Sequence, residues 1–585
     1  MDSIKSLQGN IWNIKTRESV DENNVVDILL KNRGYSRDFM NSTMKNTMPD
    51  PYSFIDMERA VDRIYEAIIK KQPIAILGDY DVDGISSTCI FLKFFRDIGA
   101  DCVYTIPNRM DEGYGLNISN IEKYKNHLII AVDCGSSSIE ELNYAKENNI
   151  DIVVIDHHTM NCVPKGAIAI VNPHRSDEKD DFKYLCAAGL VFMCVVGLNR
   201  LLRQKEFYKT GSAPQLMDYL DLVALATICD VVELKGLNRA FVINGLEIIH
   251  AKKNLGIREL LSLRDKSEVN AETIAFFIGP NLNAGGRLKT ADIGVKLLTT
   301  DNLSEAKSLA QELYNLNKER QDLECSMTEE SVSMIDENLN YICVFNPDWH
   351  VGVIGIVAGR LKEKYNKPTI VICCDKNGVG KASCRSIEGV DISKIVKRGI
   401  EEKIISSGGG HALAAGFSIS IDNISLLKDF LKNEMNYECK PKTFDVDAVV
   451  NLSDLSLNFV NNINELSPFG QGNPSPVFVI SDVKVICSRI LKDQHISVIL
   501  SDDFGNTLKG ISFRCVGTDL GDALLNTRDK LNILGELCIS VWRDRQSLNL
   551  MIRDVAQAAP GAKMILKPVF LKYTDSTVCR TNLKN

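Results

Sequence analysis

The sequence predicts an α/β protein. It begins with a parallel sheet carrying helices on both faces, passes through a long helix to a second α/β unit, and ends in a small β-barrel. Three observations carry this. Strand-length apolar runs alternate with helix-period stretches from about residue 56 to 300. A stripe of Leu303, Ala306, Ala310, Leu313, Leu316, Arg320, Leu323 and Met327 then repeats with helical period through a charged segment. Beyond residue 441, short strand-like runs follow one another with turns between: PVFVI, VKVIC, HISVIL, LKGISF, LNILGEL and LNLMIRD.

Residues 1–55 are polar and mixed, with a helix expected near Val25–Leu30. They read as an extension packed on the domain that follows, and carry no chemistry. Met57–Ile69 is an amphipathic helix, and Ile74–Leu77 is a buried strand ending at Gly78. Then come Asp79, Asp81 and Asp83, closed by Gly84. Three carboxylates in five residues repel one another unless a cation sits between them. Oxygen ligands at this density suit a hard ion such as Mg²⁺ or Mn²⁺. A solvated acidic turn is the plain alternative. A calcium EF-hand is excluded, because its twelfth position needs Glu and holds Ile90.

The alternation continues. Ile85–Ile98 is helical, and Cys102–Ile106 is a strand running into PNRMDEGYGL. Leu128–Val132 runs into Asp133-Cys134-Gly135. Ile139–Asn148 is helical, Ile152–Ile155 runs into Asp156-His157-His158, and the apolar Leu222–Ile228 runs into Asp230. In parallel sheets ligands collect at the carboxyl ends of the strands. Singly, Asp133 reads equally as a cap or turn residue and Asp230 more readily as one than as a ligand, whereas adjacent histidines are an unusual choice for a turn. Together, on one rim, the set reads as a binuclear metal site.

The second α/β unit holds the strands YICVF and PTIVICC, followed by GVGKASCRSI and SSGGGHALAAGF. G-x-G starts at Gly113, Gly378, Gly408 and Gly470, but the third glycine of a dinucleotide fingerprint is absent each time, and no G-x-x-x-x-G-K-[ST] occurs. NAD and NTP binding through these motifs are excluded. Gly408-Gly409-Gly410-His411 would let a phosphate approach the backbone; the same run also reads as a glycine-rich turn. A five-stranded OB barrel after it would suit a single-strand binder, and a purely structural β-domain is the alternative. The expected boundaries are 1–55, 56–300, 301–338, 339–438, 439–555, and a loose tail 556–585.

Composition narrows the classes. The 585 residues suit three or four domains, and 45% hydrophobic with 25% charged is ordinary for a globular protein. A net charge of −8 gives no bulk-charge support to nucleic-acid binding, although metal ions and local arginines can supply the field. Of 17 cysteines several sit in or beside apolar runs (Cys134, Cys229, Cys373, Cys374) and none forms C-x-x-C. That excludes a zinc ribbon or thioredoxin motif and suits a reducing cytosol. The longest membrane candidate, Ala187–Leu198, is too short to span a bilayer. The expectation is a cytoplasmic monomer without a membrane segment.

With these residues in view, GDYDVDG, PNR followed by EGYGL, VDCG, DHH and Asp230 resemble the DHH phosphoesterases, specifically the RecJ-type single-stranded-DNA exonucleases. WH.GVIGIVAGRL, SCRSI and GGGHALAAGF resemble the DHHA1 domain, and PFGQGNPSPVF introduces what resembles the RecJ OB domain. The resemblance covers roughly residues 50–555. It implies 5′→3′ hydrolysis of single-stranded DNA with two Mn²⁺ or Mg²⁺ ions, in repair and recombination, with a helicase and a single-strand-binding protein as partners. It implies that Asp79, Asp81, Asp83, Asp133, His157 and Asp230 hold the metals. Catalysis would fall to His158 with Asp79, and Asp156 would buttress the site. Arg109, Ser383, Arg385, His411, Gly409 and Gly410 would bind substrate. One departure stands out: Asn281 replaces an expected phosphate-contacting Arg, and Gly285 an Ala, so weaker strand affinity or a changed strand path is expected there. Sibling activities on the same core, an oligoribonuclease or small-nucleotide phosphatase, lack the barrel. A non-catalytic replication scaffold would lack the metal ligands.

Overall fold

The computed structural model describes residues 3–108, 115–179, 181–208, 213–264, 268–435, 437, 440–542 and 545–558. The chain divides into two compact units. One is Ser42–Lys440 with Pro468–Pro474; the other is Met1–Asn41, Pro441–Ser467 and Ser475–Asn585.

The N-terminal strands β1 (Ser3–Lys5) and β2 (Ile11–Ile14) belong to the second unit and are taken up with it. The first unit is built on β3 (Ile74–Gly78), β4 (Cys102–Thr105), β5 (Leu128–Val132), β6 (Ile152–Ile155) and β7 (Ala169–Val171). All pair in parallel, in the order β4-β3-β5-β6-β7. Alternate residues feed opposite cores, as strand geometry requires. Ile74, Ile76, Ile130, Val132, Val153 and Ile155 pack into one, while Ala75, Leu77, Ile129, Ala131, Ile152 and Val154 pack into the other. Burial on both faces explains why these strands read as continuous apolar runs. Because every strand points the same way, the loops after β3, β5, β6 and β7 share one rim.

Two apolar segments are helices of the core. Leu220–Cys229 buries Leu220 through Thr227, so its apolar residues surround the whole helix and carry no period. The run at Ala187 continues to Gln204, long enough by length and composition to cross a membrane, yet 72% of it is buried inside the protein. Its apolarity is explained by the core it fills.

The connecting helix spans Leu303–Val332. Its buried stripe holds Ala306, Ala310, Leu313 and Met327, but also Asn317, Arg320 and Glu324. Arg320 Nη1 donates to Glu324 at 2.6 Å, and Arg360 Nε of the next helix, Ile354–Tyr365, donates to the other oxygen at 2.7 Å. The second α/β sheet comprises β8 (Ile342–Phe345), β9 (Thr369–Cys374), β10 (Gly380–Arg385), β11 (Ser407–His411) and β12 (Ala414–Ile419), in the order β11-β12-β10-β9-β8. Only β8 and β9 pair in parallel.

In the second unit, β13 (Thr443–Val446) and β14 (Ala448–Val450) lead to β15 (Phe478–Leu491), β16 (His495–Ser501), β17 (Thr507–Ser512), β18 (Leu531–Trp542) and β19 (Arg545–Gln557). The sheet runs β15-β16-β17-β19-β18, and β18 returns to β15, closing a five-stranded barrel. Here the expectation for residues 1–55 is corrected for residues 1–41, while those from Ser42 stay with the unit that follows them. β2 pairs with β13, Ile11 opposite Thr443 through Ile14 opposite Val446, so residues to Asn41 join the barrel unit. Trp12 is the reason: it is fully buried among Val446, Val449, Val477, Val479, Leu534 and Ala556, and its Nε1 donates to Asp554 at 2.9 Å. The tail from residue 559 lies outside the described residues.

Candidate metal centre

The rim after β3 carries the densest charge. Asp81 caps the helix Val82–Ile98, its Oδ1 accepting from the N–H groups of Asp83 (2.9 Å) and Gly84 (3.2 Å). Gly84 is required by space: a Cβ there would lie 2.4 Å from the Asp79 carbonyl oxygen. Asp83 reaches the N-terminus of the helix Ala187–Gln204 and accepts from Ala187 N (2.7 Å) and Ala188 N (2.8 Å). Two backbone donors and the helix dipole hold this carboxylate in place.

Asp133 follows β5 with φ of 60°, in the left-handed region that non-glycine residues rarely occupy. Strain of this kind gathers at functional sites. His157 Nε2 lies 3.3 Å from Asp133 Oδ1, 3.6 Å from Asp83 Oδ2 and 3.6 Å from Asp230 Oδ2. Asp230 reaches the site from the end of the helix Leu220–Cys229. Donor atoms therefore gather into overlapping groups within 4.8 Å: Asp79, Asp81 and Asp133; Asp83, His157 and Asp230; and Asp133, His157 and His158. Asp133 and His157 each belong to two of them.

Electrostatics tests whether ions fit. Burial first, then the neighbouring carboxylates, raise Asp83 and push Asp133 well above the ordinary range; the same causes push Asp230 up to about 8. So many buried carboxyls at close quarters ionise together only with cations among them. Five carboxylates and one imidazole form a hard donor set that fits Mn²⁺ or Mg²⁺.

His158 is set apart. Asp156 Oδ1 accepts from the N–H groups of His157 (2.7 Å) and His158 (3.1 Å) and lies 2.8 Å from His158 Nδ1. Burial opposes charge on both, yet the hydrogen bond and mutual attraction hold Asp156 below its usual range and raise His158 to about 9. Asp156 thus engages Nδ1 and favours the imidazolium form of His158.

Sequence reasoning missed Asn172 and Ser136. Asn172, almost fully buried, donates from Nδ2 to Ser136 Oγ (2.8 Å) and to the His158 carbonyl (2.9 Å), and accepts from His174 N (2.7 Å). Ser136 N donates to Asp156 Oδ2 (3.0 Å). The loops after β5, β6 and β7 are therefore tied together. The rule that found Asp133 and His157, reading strand ends, also points to Asn172 once Ala169–Val171 is seen as a strand.

The residues expected to bind substrate lie on the second sheet, except Arg109, which lies outside the described residues. Ser383 and Arg385 share a face of β10, with Arg385 Nη1 donating to Ser383 Oγ at 3.2 Å. Through β12, Ser383 stands in line with Gly416 and Gly409, and Arg385 with Ala414 and His411. Gly410 lies beside them on β11, an exposed edge strand. Asn281 stands on the helix Gly279–Leu288. It is fully buried and donates from Nδ2 to the Phe277 carbonyl (2.7 Å), at the end of a π-helical turn, Ile274–Ile278. Its side chain is enclosed by the interior and engaged with the preceding helical turn.

Three family models match the chain. Residues 73–227 match the DHH family N-terminal domain, 338–436 the DHHA1 domain and 446–554 the RecJ OB domain. The single-stranded-DNA-specific exonuclease RecJ of Haemophilus influenzae is 32% identical over 568 residues, covering 92% of this chain and 98% of that protein. The chain belongs to the RecJ family. RecJ of Bacillus subtilis is 33% identical over 87% of this chain, which spans 64% of that relative's length. The crystal structure of Thermus thermophilus RecJ in complex with Mn²⁺ matches with a TM-score of 0.79 at 25% identity, covering 94% of this chain and 80% of that one. An exonuclease RecJ bound to manganese matches 66% of this chain and 96% of its own, with a TM-score of 0.58 and 30% identity. Mn²⁺ in these RecJ structures agrees with the donor set found here.

Proposed function

We propose that this protein is a single-stranded-DNA-specific 5′→3′ exonuclease that hydrolyses phosphodiester bonds at two divalent ions. The observation that carries the reading is His157 standing within 3.6 Å of Asp83, Asp133 and Asp230, beside a second group of Asp79, Asp81 and Asp133. Mn²⁺ or Mg²⁺ held in these two groups would supply an activated water and neutralise charge on the phosphate. His158, kept protonated by Asp156, donates to the phosphoryl oxygens as their charge grows. Ser383, Arg385 and His411, with the open backbone of Gly409 and Gly410, bind a substrate phosphate, and Arg109 completes that set. The names of the relatives support single-stranded DNA as substrate. The closed barrel supports a strand-holding role, because barrels of this kind bind single strands by stacking and phosphate contacts. The protein acts as a cytoplasmic monomer, fed by a helicase and a single-strand-binding protein.

The test is one oligonucleotide labelled at either end, digested with Mn²⁺, with Asp81→Ala as control. Immediate release of the 5′ label as mononucleotide, absent in the variant, supports the reading. Cleavage of RNA or very short oligomers alone would replace it with the sibling oligoribonuclease activity.

A further inference from the structure

We propose that the loop Pro468–Pro474 is a brace that positions the metal ligand Asp230. The proposal rests on the metal-centre reading above and assigns a role to PFGQGNP, which that reading leaves without one.

Asp230 is held differently from its neighbours. Asp133 and His157 follow strands fixed in the sheet, and Asp83 is pinned by two backbone donors. Asp230 ends a helix, and its side chain is 24% exposed, against 1% for Asp83 and 2% for Asp133. The next residue, Val231, has φ of 57°. A β-branched residue in that region persists only where its surroundings hold it.

Val231 itself is 65% exposed, and the hold comes from the residues just after it, which the 468–474 loop of the same compact unit contacts. Leu234 N donates to the Gln471 carbonyl at 2.8 Å. Gly470 sits against the Leu234 side chain, where a Cβ would lie 2.8 Å from Cδ1. Gly472, with φ of 75°, leaves room for Glu233, whose Cβ would be 3.1 Å from any Cβ added there. The buried Arg239 donates from Nη1 to the Pro468 carbonyl at 3.3 Å, and the fully buried Asn473 donates to the same carbonyl at 3.0 Å. The loop closes on itself through Gly470 N to Asn473 O (2.9 Å) and Asn473 N to Gly470 O (3.1 Å). A self-closed loop thus grips residues 233–239 by backbone and buried polar contacts, just beyond the strained turn that aims Asp230.

The consequence is selective. Loosening the brace disturbs the Asp83, His157 and Asp230 group and spares the Asp79, Asp81 and Asp133 group. The experiment is Mn²⁺ titration of the full chain without DNA, by calorimetry and by the Mn²⁺ paramagnetic resonance signal. It compares wild type, Gly470→Leu, Asn473→Ala, Asp230→Ala and the Gly470→Leu/Asp230→Ala double variant. The expected result is one ion bound as in wild type and the other weakened about 10- to 100-fold in Gly470→Leu, less in Asn473→Ala, as for other residues that orient metal ligands. Asp230→Ala loses the same ion, and adding Gly470→Leu changes nothing further. Equal weakening of both ions, or none, overturns the brace. If Gly470→Leu does not fold, Asn473→Ala decides by the same criterion. Wild type binding fewer than two ions overturns both brace and metal centre. Wild type binding two ions yet releasing no nucleotide from single-stranded DNA defeats the nuclease reading, while the titrations still judge the brace.

Discussion

The imidazole Nδ1 of His158 lies 2.8 Å from Asp156 Oδ1, the same oxygen that accepts the His158 backbone N–H. One buried carboxylate therefore fixes both the ring and the chain that carries it. Asp156→Asn keeps the shape but loses the charge that sustains the imidazolium, together with one of the two oxygens that accept the backbone N–H groups of Ser136, His157 and His158. It is expected to lower kcat about 10- to 100-fold, the usual effect of removing a residue that orients a functional side chain. Steady-state cleavage with Mn²⁺ checks this, and unchanged kcat would remove His158 from the mechanism proposed here.

Asn172 acts through the same histidine. It holds the His158 carbonyl and the Ser136 hydroxyl. Asn172→Ala should reduce kcat in the wild-type background and have little effect in His158→Ala, because residues acting as one unit are non-additive. A double-mutant cycle on cleavage rates measures this. Additive losses would mean that Asn172 serves the fold alone.

Replacing a crowded carboxylate should separate stability from function. Burial and the neighbouring carboxylates raise Asp133, so without metal its ionised form opposes folding. Asp133→Asn is expected to raise the metal-free thermal midpoint and to abolish the further rise that Mn²⁺ gives wild type, since a ligand stabilises in proportion to its binding. Hydrolysis is lost with it. Melting curves with EDTA and with Mn²⁺ read both signs. A metal-free midpoint below that of wild type would contradict the electrostatic account.

Much of this was legible in the sequence, for physical reasons. Parallel strands buried on both faces leave unmistakable apolar runs, and the runs Ile74–Leu77, Leu128–Val132 and Ile152–Ile155 lead straight into Asp79, Asp133 and His157, which the structure gathers on the rim. The Leu220–Cys229 helix was ambiguous because it is apolar all round. The stripe of Leu303–Val332 already included Arg320, but its buried companions Asn317 and Glu324 are not legible, because Glu324 resembles solvated surface until Arg360 is placed beside it. The burial of Asn281 and its bond to Phe277 are not legible, because composition does not reveal which way a helix turns. The two N-terminal strands and their place in the barrel unit are not legible, because the partner of Ile11–Ile14, Thr443–Val446, lies more than 400 residues away.

That distant pairing gives a stability prediction. Trp12 fills the core beneath β2 and β13 and donates to Asp554. Trp12→Ala removes a large buried ring and one partner of a buried carboxylate, at a cost of about 3–5 kcal/mol. Urea unfolding should show the barrel unit losing its structure first. A loss below about 1 kcal/mol would place the N-terminal strands outside the cooperative barrel.

Asp221 supplies the pH test. It is buried at the start of the Leu220–Cys229 helix and accepts from Leu222 N at 2.7 Å. Burial raises it to about 6, with Lys93 opposing. Its folded value therefore exceeds its unfolded value of about 4. Below about pH 4 both states hold the proton and the residue contributes nothing. Between about pH 4 and pH 6 the unfolded chain releases its proton first, so stability falls as pH rises; above that the full penalty remains. Asp221→Asn keeps an acceptor for Leu222 and loses the penalty. The difference between variant and wild type should grow from near zero at pH 4 to the order of 3 kcal/mol at pH 7, following the two-unit separation. Denaturation at pH 4, 5, 6 and 7, with EDTA throughout so that the metal site behaves alike in both proteins, measures it. An offset that stays constant across pH would show that packing around Asp221, rather than its charge, sets the difference.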